Sequence, residues 1–311
     1  MANLAYLQIT RECNQLCRFC SNPPTGKSRP LSFFKKVVDS YVKQGYAGII
    51  FSGGEPTLYP HLPNLISYVS GKGLHCRIIT NGQKTADPAY LRELTNAGLK
   101  HVCLSIYSDD PAIQSFLTGN EGSLHKIRKT LSNLKKTGIT VDIVTVINKY
   151  NADHLSRIIR WLTEKYGFIN HFVWNNIDPL MNKASSHPDT IPRLVDFELE
   201  LHIAMTALHK KGKTFRVERV PLCYMASFPH CSTETRKIVK QEERAVYFLD
   251  SKGLVRQKHW SYGKADSCRS CLVRDICAGL YQMGSYFSED ELFPIFLDKE
   301  RIIHDILSKN E

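Results

Sequence analysis

Cysteine spacing carries the first chemical information in this chain. Cys13, Cys17 and Cys20 form a C-x3-C-x2-C run, and Cys268, Cys271 and Cys277 form a C-x2-C-x5-C run. Cys223 and Cys231 make a looser pair, while Cys76 and Cys103 stand alone in apolar stretches. Thiolates are soft ligands, and three of them in one short loop can converge on zinc or on an iron–sulfur centre. A structural zinc site is four-coordinate, so the first run would need a distant fourth ligand to hold zinc. Three thiolates on a four-iron cluster instead leave one iron open to an outside ligand. Cys76 and Cys103 read as core residues, because a free cysteine packs as a small hydrophobe.

A second motif follows at a strand end. Ile49-Ile50-Phe51 is a β-type run that leads into Ser52-Gly53-Gly54-Glu55-Pro56. Paired glycines there let backbone approach a neighbour closely, and Glu55 adds a carboxylate. A lone Gly-Gly-Glu is most often a turn. One βα unit after C-x3-C-x2-C it means more, and the two motifs together resemble the radical SAM superfamily over residues 4 to 180. The resemblance implies that Cys13, Cys17 and Cys20 bind a [4Fe-4S] cluster whose open iron is chelated by S-adenosylmethionine. It implies that Gly53, Gly54 and Glu55 contact the cofactor's methionine amino group and that Phe19 packs near the adenine. It also implies reductive cleavage of the cofactor to a 5′-deoxyadenosyl radical, which takes a hydrogen atom from a substrate carbon.

These motifs need elements to hold them. Strand-like runs at 6–10, 48–52, 75–80, 101–107, 140–147 and 171–176 alternate with helical stretches at 33–44, 61–71, 88–97, 123–136 and 152–166. Ser32 is a candidate cap for the first of these helices. Six βα-type repeats fit an α/β fold, the partial (β/α)6 TIM-like barrel that the resemblance implies. Sites in such barrels lie at the C-terminal ends of strands, which adds Asn81, Ser105 and Asn148 as candidate cofactor contacts. Capping or turn roles are the plain alternative for each. Residues 174–179 at the end of strand six face the substrate or close the barrel.

A helix is expected over 192–211, and the expected domains are 1–212, the radical SAM core with a linker helix, and 213–311. The later region reads as a strand at 215–220, a hairpin around Asp250-Ser251-Lys252-Gly253, the second cysteine run, and an amphipathic helix over 290–307 that tolerates Pro294. It resembles the auxiliary-cluster region called SPASM, or its shortened form, twitch. A complete SPASM domain holds two auxiliary clusters. This chain has Lys258 and Tyr281 where two of that family's cysteines stand, so one auxiliary cluster is expected, on Cys268, Cys271 and Cys277. With the first cluster this makes two [4Fe-4S] clusters. Cys223 is preferred to Cys231 as fourth ligand, because it follows the strand-like run directly and Pro221 stiffens its approach. An open iron and a zinc knuckle are the alternatives. A free Cys231 is a candidate hydrogen-atom donor.

Composition sets the outer limits. The 311 residues are 42% hydrophobic and 23% charged, which excludes wholesale disorder. No apolar stretch is long enough to span a membrane, and the N-terminus lacks a signal peptide's basic region. A cytoplasmic location is expected, where cysteines serve as ligands or catalysts rather than disulfides. The net charge of +11 is spread without a basic tail, and no RNA-binding motif is visible. Nucleic acid is therefore not an expected partner. The reading that emerges is a radical SAM enzyme, an oxidoreductase or isomerase, that modifies a peptide by crosslinking, oxidation or epimerisation. It would take electrons from a flavodoxin- or ferredoxin-like donor. The first strand begins near Leu4, which leaves no room in this sequence for an N-terminal leader-binding domain. A sugar or other small metabolite is the alternative substrate, and a non-catalytic iron–sulfur carrier or scaffold is the alternative of another class.

Overall fold

The computed structural model describes residues 3–180, 183–250 and 252–308, so Ser251 of the hairpin turn lies outside them. Nine strands form one sheet: β1 Leu4–Thr10, β2 Gly48–Gly53, β3 His75–Thr80, β4 His101–Ser105, β5 Thr140–Ile147, β6 His171–Asn176, β7 Thr214–Glu218, β8 Arg244–Tyr247 and β9 Leu254–Gln257. The order is β7-β6-β5-β4-β3-β2-β1-β8-β9. Every neighbouring pair is parallel except the β8–β9 hairpin. The helices are α1 Leu31–Lys43, α2 Leu62–Gly71, α3 Pro88–Asn96, α4 Pro111–Thr118, α5 Ser123–Leu134, α6 Leu155–Lys165, α7 Lys183–Ser186, α8 Leu194–Lys210, α9 Thr233–Lys240 and α10 Lys299–Ser308. Among the described residues no helix is long and apolar enough to cross a membrane.

The α/β partial barrel expected from the six repeats is present, but its sheet is open and longer. The strand expected at the start of the second region is β7, and it extends the barrel sheet beside β6. The hairpin adds to the opposite edge through β8, which pairs with β1.

Local sequence explains the helix ends. Asp87 and Asp110 accept hydrogen bonds from the first free amides of α3 and α4, each with proline at the first helical position. The pair Asp110-Pro111 therefore marked α4, which the strand pattern had hidden. Helix α1 starts at Leu31 behind Pro30, so Ser32 is helical and not a cap. The C-terminal helix is shorter than expected. Helical hydrogen bonding is blocked at Pro294, and α10 begins only at Lys299.

Period-two alternation divides the sheet into two faces. Leu7, Phe51, Ile78, Leu104, Ile143 and Trp174 point outward and are fully buried beneath the helices. Their neighbours Tyr6, Arg77, Ile79, Ser105, Val144 and Asn175 point inward and are only partly buried. The barrel interior is thus open and largely polar. Cys76 belongs to the outer core, as expected. Cys103 is also buried but points inward, with its Sγ 3.9 Å from Asp142 Oδ2. Asp142 in turn lies 2.8 Å from His101 Nε2 and 3.7 Å from Arg77 Nη1.

One ion pair bridges the open side of the barrel. Arg244 on β8 chelates Glu218 on β7 through two hydrogen bonds of 2.9 and 3.0 Å, although no backbone ladder joins those strands. Burial opposes the charge on Glu218, but Arg244 and Arg219 outweigh it and hold its carboxyl down at about 2. A depressed folded pKa stabilises the protein above the ordinary value of 4.5, and that stability is lost as pH falls through about 2. Glu218→Gln should therefore cost about 3 kcal/mol at pH 7. Urea unfolding followed against pH should show the gap to the parent protein closing as pH drops below 4.5.

Candidate functional site

The first cysteine run lies in the loop between β1 and α1, at the C-terminal ends of the strands. The loop is tied down mainly through its backbone. Leu16 N–H donates to Thr118 O at 2.8 Å and Arg18 N–H to Leu117 O at 3.0 Å. The side chain of Gln15 reaches Ser123 Oγ at 3.0 Å. The end of β2 lies against the start of the loop: Gly54 N–H donates to Thr10 O and Glu55 N–H to Glu12 O, both at 2.7 Å. This approach explains the paired glycines. A Cβ on Gly53 or Gly54 would fall 2.1 Å from a carbonyl oxygen, of Thr10 and Glu12 respectively. Gly53 also has φ +137°, a conformation that disfavours other residues.

Glu55, the expected cofactor contact, is held at the end of β2 by hydrogen bonds from its own and the next strand end. It is 1% exposed. Its Oε1 accepts from Thr57 N–H at 3.1 Å, Thr57 Oγ1 at 2.6 Å and Thr80 Oγ1 at 2.6 Å, and its Oε2 accepts from Asn81 N–H at 2.7 Å. Burial raises its carboxyl, and the four hydrogen bonds oppose that rise. The carboxylate thus clamps the end of β2 to the end of β3. Asn81 extends the clamp: its Nδ2 donates to Asn14 Oδ1 at 2.7 Å and lies 3.8 Å from Cys13 Sγ.

The remaining candidates at the strand ends separate. Phe19 is buried in a small apolar group with Leu117, Ile177 and Ala184, edge-on to Tyr107 at 4.8 Å. Burial and then Cys17 push the Tyr107 hydroxyl well above its usual range, while the Ser105 side chain opposes that rise. Tyr107 therefore faces the cysteine loop, and sequence reasoning passed over it. The available signal was its register, two residues beyond Ser105 on the same inward face. Asn148 does not face an open site. It is fully buried, its Oδ1 accepts from Tyr150 N–H at 3.0 Å, and its Nδ2 donates to Val146 O at 3.0 Å. It is a turn residue, for the reason that makes asparagine common in turns.

The thiol environment suits a soft metal centre. Asn22 N–H donates to Cys20 Sγ at 3.3 Å and Gly279 N–H to Cys277 Sγ at 3.4 Å, contacts that favour thiolate. Lys183 and Arg11 oppose the burial that raises Cys20. In the second set, Cys223, Cys268, Cys271 and Cys277 line one small cavity, together with Pro221, Leu222 and Phe293. Cys223 is held up at about 12 by burial, with Cys277 and Cys268 adding to it. Cys231 does not line that cavity. It is 6% exposed and belongs to the main apolar core with Phe228 and Met225. Tyr281, at one of the missing cysteine positions, donates from its hydroxyl to Asp178 Oδ2 at 3.1 Å, just beyond β6.

The radical SAM superfamily profile matches residues 7–162, half of the chain, and the chain belongs to that superfamily. A PqqA peptide cyclase from Xanthomonas campestris pv. campestris is 31% identical over 192 residues, 58% of this chain and 50% of the relative. The PqqA peptide cyclase of Xanthomonas oryzae pv. oryzae is 29% identical over 233 residues, 72% of this chain and 60% of its own. The chain thus spans about half the length of the curated relatives it matches. Among solved structures, native anSMEcpe with bound AdoMet aligns with a TM-score of 0.66 at 15% identity, over 98% of this chain and 97% of its own. Streptococcus suis SuiB bound to precursor peptide SuiA aligns with a TM-score of 0.57 at 16% identity, over 70% of this chain and 49% of SuiB. At these identities the two structures share the fold.

The close backbone approach at Gly54 gives a direct test. Gly54→Ala puts a methyl group into the Glu12 carbonyl, and neither chain can retreat without breaking the bonds described above. Urea unfolding should show a loss of about 1–3 kcal/mol. An unchanged midpoint would mean that the loop yields freely.

Proposed function

We propose that this chain is a radical SAM enzyme that binds S-adenosylmethionine and two [4Fe-4S] clusters and abstracts a hydrogen atom from a peptide. The observation that carries the proposal is the cysteine loop pinned to the Gly53-Gly54-Glu55 strand end. In this reading the thiolates of Cys13, Cys17 and Cys20 hold the first cluster. Cys223, Cys268, Cys271 and Cys277, which line one small cavity, hold the second, with Cys223 as the fourth ligand. When bound, the reduced first cluster and S-adenosylmethionine supply a 5′-deoxyadenosyl radical able to take hydrogen from carbon.

The chain's own residues do the positioning. Backbone groups of Gly53 and Gly54 would hold the methionine end of the cofactor. Phe19 and Tyr107 offer an aromatic wall for the adenosine, beside Ile177. Glu55 and Asn81 act as positioning residues, since their polar atoms are engaged with Thr57, Thr80, Asn14 and the Cys13 loop. The open inward face of the sheet gives a substrate room to approach from within the barrel. The peptide assignment draws on relatives named as a peptide cyclase and solved with a precursor peptide. A flavodoxin- or ferredoxin-like protein would deliver the electrons.

Anaerobic reconstitution and reduction with dithionite test this reading. The wild-type chain should hold about eight iron atoms and release 5′-deoxyadenosine from S-adenosylmethionine. Cys13→Ala should retain about half the iron and lose 5′-deoxyadenosine formation by at least a hundredfold. Cys268→Ala should lose a comparable share of iron yet still cleave the cofactor. Equal 5′-deoxyadenosine from Cys13→Ala and wild type would overturn the proposal.

A further inference from the structure

A group of metal-ligand side chains lies inside the barrel, towards the N-terminal ends of β4 and β5 and away from the first cysteine loop. His101 and Cys103 are two residues apart on β4, so strand alternation puts both on the inward face. Cys103 stands opposite Asp142 in the parallel register with β5, which brings that carboxylate to the same face. One ligand atom from each of the three residues lies within 4.8 Å of the other two. His101, Cys103 and Asp142 are 6%, 6% and 4% exposed, so the group is shielded from bulk water.

Its hydrogen bonding is incomplete. His101 Nε2 lies 2.8 Å from Asp142 Oδ2, yet the two do not meet in hydrogen-bond geometry, and the nitrogen has no partner among the described residues. A buried ring nitrogen left in this state costs free energy. The contact of the Cys103 thiol with Asp142 is long, at 3.9 Å. His75, whose ring centroid is 5.9 Å from that of His101, also has a buried Nε2 without a partner among the described residues. Arg77 is the cation that opposes a metal here, with its Nη1 3.7 Å from Asp142 Oδ2. Its side chain is 24% exposed and lines a cavity of about 360 Å³, into which the guanidinium can turn. The same cavity gives an ion a way in.

We propose that His101 Nε2, Cys103 Sγ and Asp142 bind one zinc ion, in a structural site at the base of the barrel that is separate from the iron–sulfur clusters. Imidazole nitrogen, thiolate and carboxylate are all zinc ligands, and a water completes the tetrahedron. Tetrahedral ligands about 2.0–2.3 Å from zinc stand about 3.3–3.7 Å from one another. The 2.8 Å contact therefore opens by about half an ångström and the 3.9 Å contact closes by a few tenths. Binding exchanges the Cys103 thiol proton for the metal and moves no electrons. The thiolate and the carboxylate balance the charge of the ion, so Arg77 faces a neutral complex. Zinc here would join β4 to β5 at the end of the barrel where residues serve stability rather than catalysis.

Zinc K-edge X-ray absorption of the reconstituted full chain tests the site, because iron does not contribute at that edge. The chain is given one equivalent of zinc chloride and passed through a desalting column. About one zinc per chain should remain, with one sulfur neighbour at about 2.3 Å and three nitrogen or oxygen neighbours at about 2.0–2.1 Å. Cys103→Ala and His101→Gln should each lower the retained zinc about tenfold or more. Both should keep the iron content of the parent chain, which shows that they fold. Should a variant also lose iron, the wild-type spectrum decides alone. Loss of zinc from the wild-type chain on the column overturns the site. So does a shell of three or four sulfurs, which would place the ion on the cluster cysteines, or a shell with no sulfur. Equal retention of zinc by a folded Cys103→Ala overturns it as well.

Discussion

The arrangement at the strand ends depends on one buried carboxylate. Glu55 collects four hydrogen bonds from two neighbouring strand ends, and through Asn81 its grip reaches Asn14 and Cys13. Burial raises its carboxyl, and the donors from both strand ends oppose that rise, so its charge is less costly than that of an isolated buried carboxylate. Glu55 joins the ends of β2 and β3 beneath the cysteine loop, beside the bond from Lys84 Nζ to Thr57 O. The glycines complete the same device, since only residues lacking a side chain let the β2 end lie on the Thr10 and Glu12 carbonyls.

The second cysteine set depends on the barrel in a different way. The β8–β9 hairpin extends the sheet from β1, and the Arg244–Glu218 chelate joins that edge to β7. Tyr281 ties the segment after Cys277 to Asp178 at the end of β6. The residue standing where the SPASM pattern has a cysteine is therefore a hydrogen-bonding link. Both cysteine sets are held against one sheet, and the polar interior of that sheet is shaped by arginines and carboxylates rather than by apolar packing.

The cysteine spacings, the Gly-Gly-Glu turn and the six βα repeats were legible because each is a local pattern. Cys76 and Cys103 both read as core residues, and the structure places Cys76 under the helices and Cys103 on the inward face beside Asp142. Long-range facts were not legible in the same way. That Thr80 and Asn81, from the next strand, donate to Glu55 was not visible in the local pattern. Asn148 and Cys231 carry suitable chemistry, but their neighbours put one in a turn and the other in the core. Strand β7 was visible as a strand, yet its place in the barrel sheet followed from pairing with β6. The C-terminal helix is shorter than its amphipathic periodicity suggests, because Pro294 restricts the backbone ahead of Lys299.

The central claim is that Glu55 positions the cysteine loop rather than contacting the cofactor. The most direct measurement is the iron content of reconstituted Glu55→Gln, alongside its affinity for S-adenosylmethionine. A glutamine amide would oppose its own N–H groups to the Asn81 N–H or the Thr57 N–H. The account predicts that iron falls from about eight atoms towards four per chain, with the second cluster retained. Full iron content with only the cofactor affinity lost would contradict it.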